Sequence, residues 1–149
     1  MLLLGAELEG ADLSKLKAAI GGAALPGGVA QRALKAGVQF FGAYGLSETC
    51  PAVTVCDLKE DMLDWDIDRK ADVMKRPGLP VPLVQMEVMD ASGNKLPHDG
   101  KSTGEVVFRT PWLTEGYFKE PEMSEELWRD GWLHTGDIGY IDEGGYLYL

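Results

Sequence analysis

The sequence predicts two successive portions, an α/β fold over residues 1–76 and a β-rich portion over residues 77–149. Three observations support this order. A strand–helix–strand rhythm precedes residue 58, short alternating apolar runs follow residue 83, and the proline-rich stretch Pro77–Pro82 divides the two. A chain of 149 residues has the size of one domain, which buries roughly 68–70% of its unfolded surface.

The first portion begins with a segment whose residues leave two interpretations open. Apolar residues from Leu13 to Ile20 have helical spacing, but the segment runs into Gly21-Gly22, where a helix would end. Next, Pro26 is expected at the first helical position, with Gly37 as the C-terminal stop. The expected buried face of this helix consists of Val29, Ala30, Ala33 and Leu34.

Two strands and one ambiguous segment complete the first portion. Val38–Phe41 is predicted to be a short buried strand, and Val53–Val55 another. Residues 58–75 are charged, with widely spaced apolar side chains, and are predicted to form a solvated helix or a long loop.

The β-rich portion is predicted from alternation and turn residues. Val84–Met89 alternates, and Ala91–Asn94 has the composition of a hairpin turn. The remaining predicted elements are strands at 104–109 and 131–134, a short helix at 123–128, and a last hairpin of 137–142 with 146–149.

Composition excludes several classes of protein. The formal net charge of −10 argues against nucleic acid as a partner, since phosphate binding needs clustered Lys and Arg. Cys50 and Cys56 match no disulfide framework or metal spacing, and are expected to be small apolar residues in a reducing compartment. The Met1–Leu4 run is too short for a signal peptide, and no apolar run approaches about 20 residues. A cytoplasmic protein without a transmembrane segment is therefore expected.

One motif, Gly42–Thr49, places a small residue, an aromatic ring, a glycine, a hydroxyl and a carboxylate within a few positions. A purine nucleotide requires such a set: a flat face for the base, close backbone approach, and a hydroxyl and metal-binding carboxylate for phosphates. Taken alone, Tyr44 could equally be a half-buried core residue and Glu48 a solvated surface residue.

Two further segments suit the same ligand. In His134-Thr135-Gly136-Asp137, an aspartate at a tight glycine turn could accept hydrogen bonds from ribose hydroxyls, although Gly-Asp is ordinary in β-turns. In Gly21–Leu25, small residues after a strand would let a flat ring lie against the backbone, or simply allow close strand–helix packing.

These segments together resemble the adenylate-forming superfamily, which includes acyl-CoA synthetases, luciferases and peptide-synthetase adenylation domains. Gly42–Thr49 is similar to its Tyr-Gly-x-Thr-Glu motif, with Ser47 in place of threonine, and Thr135–Asp137 is similar to its Thr-Gly-Asp motif. Gly21–Leu25 is similar to Gly-Gly-Ala-Pro-Leu, with Ala24 in place of proline. The resemblance implies the later part of an acyl-CoA-synthetase N-terminal domain, with a strand ending at Gly21-Gly22 and a distorted barrel-like β portion.

The resemblance also implies roles for individual residues. Ser47 would meet the α-phosphate and Glu48 would bind Mg²⁺, which makes these two the catalytic candidates. Asp137 would bind the ribose, and Gly21, Gly42 and Leu46 would border the acyl group. The candidates for the adenine site are Gly22, Ala23, Ala24, Ala43, Tyr44 and Gly45.

The implied reaction is that of a fatty-acid or similar carboxylic acid CoA ligase, which uses ATP, Mg²⁺ and CoA. The family's phosphate loop and lysine are expected upstream of residue 1, and its hinge and C-terminal lysine beyond Leu149. The chain alone is therefore expected to be inactive, because those lysines and Mg²⁺ stabilise the phosphoryl transition state. The alternatives are a non-catalytic nucleotide-binding or interaction module and a luciferase-like or other adenylation relative.

Overall fold

The structure is a computed structural model that describes residues 12–149. The predicted start of the first portion and the Met1–Leu4 run lie outside the described residues. The helices and strands are β1 Lys17–Ile20, α1 Gly27–Lys35, β2 Gln39–Tyr44, β3 Thr54–Val55, α2 Ile67–Met74, β4 Leu79–Pro80, β5 Gln85–Met89, β6 Gly104–Arg109, α3 Pro121–Leu127, β7 Trp128–Arg129, β8 Trp132–Ile141 and β9 Leu147–Tyr148.

The first sheet has the strand order β1-β2-β3-β4. The β1 and β2 strands are parallel and α1 connects them, whereas β2, β3 and β4 pair antiparallel. Helices α1 and α2 pack against each other and against β2, because their alanines allow close approach. The core of this sheet comprises Ala30, Ala33, Val38, Phe40, Ala71 and Met74.

Three predictions for the first portion are resolved by the structure. The segment ending at Gly21-Gly22 is a strand, although it starts only at Lys17, after a turn in which Leu16 N–H donates to Leu13 O. Gly37 ends the helix region with φ +80°, as expected of a stop. The placement of Pro26 was wrong by one position: it precedes α1, and its carbonyl accepts from Val29 N–H at 2.9 Å.

Residues 58–75 are only partly a solvated segment. A 3-10 turn covers Glu60–Met62, and α2 follows, with Asp66 as its N-cap accepting from Arg69 N–H at 2.9 Å. The inner face of α2 is buried, so this helix contributes to the core. An aspartate is a favoured N-cap residue, so Asp66 was the signal that would have favoured a helix over a long loop in this segment.

The second sheet is antiparallel, in the order β5-β6-β8-β7, and β9 adds to β8. Val53, which directly precedes β3 of the first sheet, packs into the core of the second sheet. The two sheets therefore share a hydrophobic interior. That core comprises Val53, Met86, Val88, Val106, Phe108, Ile141 and Leu147. The α/β fold followed by a β-rich sheet is thereby confirmed, while β4 extends the first sheet past residue 77. The two-part division itself stays a prediction.

Two boundaries in the second portion were wrong. Strands expected at 131–134 and 137–142 are one strand, β8, because the intervening glycine forms a bulge and does not turn the chain. The short helix begins at Pro121, a favourable first helical residue, and Trp128 lies in β7. Within residues 12–149, no helix has the length and apolar character needed to cross a bilayer.

Candidate functional site

The Thr135–Asp137 motif is a bulge in the middle of β8. Glu105 pairs with Ile138, and Val107 pairs with His134. Between these two paired positions β6 advances by two residues, whereas β8 covers four. The extra residues on β8 leave the ladder, and Gly136 takes φ +73°, a left-handed conformation that glycine adopts without strain. The bulge changes the direction of the Asp137 side chain relative to a regular strand, which a β-turn prediction did not foresee.

Hydrogen bonds to β6 fix two residues of the bulge, and the third bonds within the bulge itself. Thr135 Oγ1 donates to Val106 O at 2.7 Å and accepts from Asp137 N–H at 3.1 Å. Gly136 N–H donates to Glu105 Oε1 at 3.0 Å. The bulge is therefore held in one conformation by the neighbouring strand.

The Gly42–Thr49 segment continues from β2 into a compact 3-10 turn at Ser47–Thr49. The Thr49 hydroxyl, which is buried, accepts from Leu46 N–H at 2.8 Å and closes the turn. A glycine is needed at 45 because a Cβ there would lie 1.8 Å from Pro51 O. The packing of this loop on itself therefore explains the residues at two motif positions, Gly45 and Thr49, whether or not a ligand binds.

The two motifs meet through one hydrogen bond. Tyr44 Oη donates to Asp137 Oδ2 at 2.5 Å, although 93 positions separate the residues in sequence. Burial raises the pKa of the Tyr44 hydroxyl well above its usual value, and the hydrogen bond to Asp137 raises it further. The hydroxyl therefore stays protonated at neutral pH and remains a donor to the carboxylate.

A cavity of about 670 Å³ opens beside this contact, between the ends of β1 and β2, the end of α2, the β8 bulge and β9. Pockets for small ligands are commonly about 300–1,000 Å³, so a nucleotide-sized ligand fits. The predicted residues on its wall are Gly22, Ala23, Ala24, Gly42, Ala43, Tyr44, Gly45, Leu46 and Asp137. Gly21, Ser47 and Glu48 are not on the wall.

The absence of a side chain at Gly42 has a packing cause. A Cβ at this position would lie 2.4 Å from Arg76 O and 2.6 Å from Met74 O, at the end of α2. The glycine therefore permits α2 to approach β2 closely. Its predicted role at the acyl wall stays a prediction, as do those of Gly21 and Leu46.

Sequence reasoning missed the other residues that line the cavity. They are Ile20, Leu25, Asp72, Lys75, Arg76, Pro77, Tyr148 and Leu149. The Arg76 guanidinium lies over the Tyr148 ring at 4.5 Å and donates to the Tyr148 hydroxyl, which in turn donates to Asp142 Oδ2 at 2.9 Å. The Tyr148 ring also stacks on Tyr140 at 4.5 Å, so Tyr140 and Arg76 both lie against this ring. The signal available in the sequence was the alternation of tyrosine and leucine in Tyr146–Leu149, the predicted last strand.

Glu48 lies outside the cavity, in a half-buried position beside an exposed tyrosine. Tyr117 Oη donates to Glu48 Oε1 at 2.6 Å, and Thr114 N–H donates to Glu48 O at 3.0 Å. Among residues 12–149 no group of three His, Cys, Asp or Glu side chains could hold a metal. A single carboxylate still suits Mg²⁺, which keeps waters and takes substrate phosphates as its other ligands. Ser47, next to it, is exposed.

Comparison with known proteins identifies the family. Residues 1–118 match the AMP-binding enzyme family. The chain is 37% identical to a long-chain-fatty-acid–CoA ligase of Thermus thermophilus over 87% of its length, covering 24% of that enzyme. It is 34% identical to a feruloyl-CoA synthase of Amycolatopsis sp over 93% of its length, covering 26% of that protein.

A solved structure gives the same result. The N-terminal domain of FACL13 from Mycobacterium tuberculosis superposes with a TM-score of 0.79 and 28% identity, over 97% of this chain and 34% of that one. The chain spans about a quarter of the length of the curated relatives it matches. It belongs to the AMP-binding enzyme family and corresponds to part of the N-terminal domain of the acyl-CoA ligases.

Proposed function

We propose that this chain forms the adenosine-binding wall of an AMP-forming carboxylic acid–CoA ligase. In the reaction, a carboxylate oxygen attacks the α-phosphorus of ATP and pyrophosphate leaves, giving an acyl-adenylate. The thiol sulfur of CoA then attacks the acyl carbon, and AMP leaves. The observation that carries the proposal is the Tyr44–Asp137 hydrogen bond, which places both motifs on one cavity of suitable size.

The adenosine half of ATP fits the chemistry of the cavity wall. Small residues at 22–24 and 43 leave backbone exposed to a flat base, and the Tyr44 ring offers an aromatic face. Asp137 lies on the same wall, and a carboxylate is a strong acceptor for ribose hydroxyls. Burial of a hydrogen bond from a ribose hydroxyl to the Asp137 carboxylate would strengthen it. The site would then favour ribose over a sugar that lacks the hydroxyls.

We assign the phosphate end to the edge of this wall, at the 3-10 turn. Ser47 is exposed there and can donate to an α-phosphate oxygen, and Glu48 can supply one oxygen ligand to Mg²⁺. The metal, when bound, would neutralise phosphate charge during displacement. Tyr117 orients the Glu48 carboxylate through its 2.6 Å hydrogen bond.

We propose a fatty acid as the substrate, because the Thermus thermophilus relative is named for long-chain fatty acids and is 37% identical. The relative named for feruloyl-CoA makes an aromatic acid the main competitor. Because CoA and ATP are cytoplasmic reactants, and Cys50 and Cys56 are both free, we also propose a cytoplasmic location.

Calorimetric titration of AMP tests the adenosine assignment. Asp137→Ala is expected to weaken AMP binding by about 10- to 100-fold, since a hydrogen bond to a charged group contributes about 1.5–3 kcal/mol. Glu48→Gln is expected to leave AMP affinity unchanged, because AMP binding does not require the metal. Equal affinities of the wild type and Asp137→Ala would contradict the ribose assignment.

Activity is tested in the whole protein by trapping the acyl-adenylate with hydroxylamine, using palmitate and ferulate as acids. Glu48→Gln is expected to lower the rate and raise the Mg²⁺ concentration needed for half-maximal activity. Unchanged activity in that variant would contradict the metal-ligand role. Nucleotide binding without acyl-hydroxamate from any acid would favour the non-catalytic module, and adenylate without transfer to CoA would favour another adenylation relative.

A further inference from the structure

Glu105, on β6, connects the neighbouring strand to the bulge that carries Asp137. Its Oε1 accepts from Gly136 N–H at 3.0 Å. Its Oε2 lies 2.8 Å from His134 Nδ1 and 3.2 Å from Arg129 Nη2. Both carboxylate oxygens are therefore engaged, and one of them contacts the residue directly before Asp137.

The bulge leaves a backbone donor free for this contact. A residue that leaves the ladder loses the strand partner of its N–H group, and Gly136 is exposed, so its N–H would otherwise bond to water. Glu105 supplies an acceptor to Gly136, while the Thr135 hydroxyl bonds to Val106 O and Asp137 N–H. The backbone that sets the position of the Asp137 carboxylate is thus fixed from β6 at successive residues.

The charge on Glu105 is balanced within the same cluster. Burial alone would raise the pKa of this carboxyl, but its contact with the His134 ring, the hydrogen bond from Gly136 N–H and the charge of Arg129 lower it overall. The side chain of His134 is only 10% exposed and that of Glu105 is 23% exposed, so the contact between them is sheltered from solvent. The carboxylate is ionised at neutral pH and is a strong acceptor for Gly136 N–H.

We propose that Glu105 is a positioning residue for nucleotide binding: it holds the β8 bulge so that the Asp137 carboxylate meets the ribose hydroxyls. This inference rests on the assignment of Asp137 to the ribose in the proposed function. Glu105 itself does not line the cavity and does not touch the nucleotide. Its loss should therefore reduce the preference for ribose more than the affinity for the base.

The test measures selectivity as the ratio of two dissociation constants, because a general loss of stability would weaken the binding of both nucleotides and leave their ratio unchanged. Dissociation constants of AMP and 2′,3′-dideoxy-AMP are measured by calorimetry for the wild type and for Asp137→Ala, Glu105→Ala, Glu105→Gln and Glu105→Asp. The matched control is Glu87→Ala, because Glu87 lies on β5 of the same sheet and also pairs with a cation, Lys95, at 2.7 Å. Its side chain has the same 23% exposure, but it has no contact with the bulge.

The wild type is expected to prefer AMP over the dideoxy nucleotide by about 10- to 100-fold, and Asp137→Ala to lose this preference. Glu105→Ala is expected to reduce it to about threefold or less, while Glu87→Ala retains it. Glu105→Gln keeps an acceptor at the same reach and should retain most of the selectivity. Glu105→Asp keeps the charge but is too short for Gly136 N–H, and should lose it.

The outcomes separate this inference from the proposed function. No ribose preference in the wild type would contradict the Asp137 assignment and overturn both. A wild-type preference that persists in Glu105→Ala would overturn the positioning role alone. If Glu105→Ala does not fold, the other two variants decide. Selectivity retained in Glu105→Asp and lost in Glu105→Gln would show that a side chain long enough to accept from Gly136 N–H is not what matters.

Discussion

At the scale of single residues, the informative contact is the one between Tyr44 and Asp137. The tyrosine offers a ring to the cavity and a hydroxyl to the carboxylate, so a single side chain serves both the base and the ribose ends of the proposed site. Its ring also lies 6.0 Å from that of Phe108, in the core of the second sheet. The residue that the sequence motif identifies as an adenine contact is therefore also a structural connection between the two sheets.

Replacing Tyr44 by Phe separates these roles, since the ring is retained and the hydroxyl is lost. We expect AMP affinity to fall about three- to tenfold, because Asp137 loses one oriented donor worth about 0.5–1.5 kcal/mol. Calorimetry measures the affinity. The control is Tyr146→Phe, which removes a hydroxyl that donates to Asp57 O at 2.8 Å, away from the cavity. An equal loss of affinity in both variants would show that the Tyr44 hydroxyl has no specific role.

At the scale of elements, the end of α2 and the strand β2 approach each other closely at Gly42. This contact brings Lys75 and Arg76 next to the Gly42–Leu46 segment, and all of these residues line the cavity. The close packing depends on a position that has no side chain. The helix was expected to be a solvated segment, yet it forms one wall of the candidate site.

Gly42→Ala tests this packing. The new methyl group would lie 2.4 Å from Arg76 O, and overpacking of this kind costs about 1–3 kcal/mol, so the free energy of unfolding in urea should fall by that amount. The matched control is Gly28→Ala in α1, where a Cβ meets no atom within 4 Å. Alanine is favoured there by about 0.5–1 kcal/mol, so the control should gain stability. Unaltered stability of Gly42→Ala would contradict the close approach.

At the scale of the whole molecule, two further features, beside Tyr44, help to join the sheets. One is the shared core around Val53, and the other is the connection from Arg76, after α2, through Tyr148 of β9 to Asp142. Burial and the hydrogen bond to Asp142 raise the pKa of Tyr148 to about 12, although the charge of Arg76 opposes this shift. The site lies where the two sheets meet, so it depends on their association.

This connection predicts a loss of stability at alkaline pH. Between the usual tyrosine pKa of about 10 and the folded value of about 12, the unfolded chain loses the Tyr148 proton while the folded chain retains it. The contribution is therefore complete below pH 10 and decreases as the pH rises toward 12. Urea titrations at pH 8, 10 and 11.5 measure the decline, and Tyr148→Phe should reduce its slope. An identical slope in that variant would assign the decline to other groups, such as Tyr44 and Tyr146, whose pKa values are also raised.

Much of the fold was predictable because local signals were strong. The helix beginning near Pro26, the alternating strand β5, the strand β6 and the glycine stop at Gly37 follow from short-range patterns. The strand at Lys17–Ile20 could not be separated from a helix by spacing, and only the resemblance to a family favoured it. The error at β8 has a different origin: a glycine in a bulge and a glycine in a turn look alike in sequence, and the pairing with β6 distinguishes them.

The sequence by itself determined the family motifs, the order of the two portions and the residue types of the candidate site, since these depend on neighbours along the chain. Only the tertiary structure decided that Asp137 and Tyr44 touch, that Glu105 accepts a hydrogen bond from Gly136 in the bulge, and that Asp72, Lys75, Arg76 and Tyr148 line the same cavity. The reason is physical. Each of these contacts joins segments far apart in sequence, and their distances are set by sheet register and core packing, which no short stretch of residues encodes.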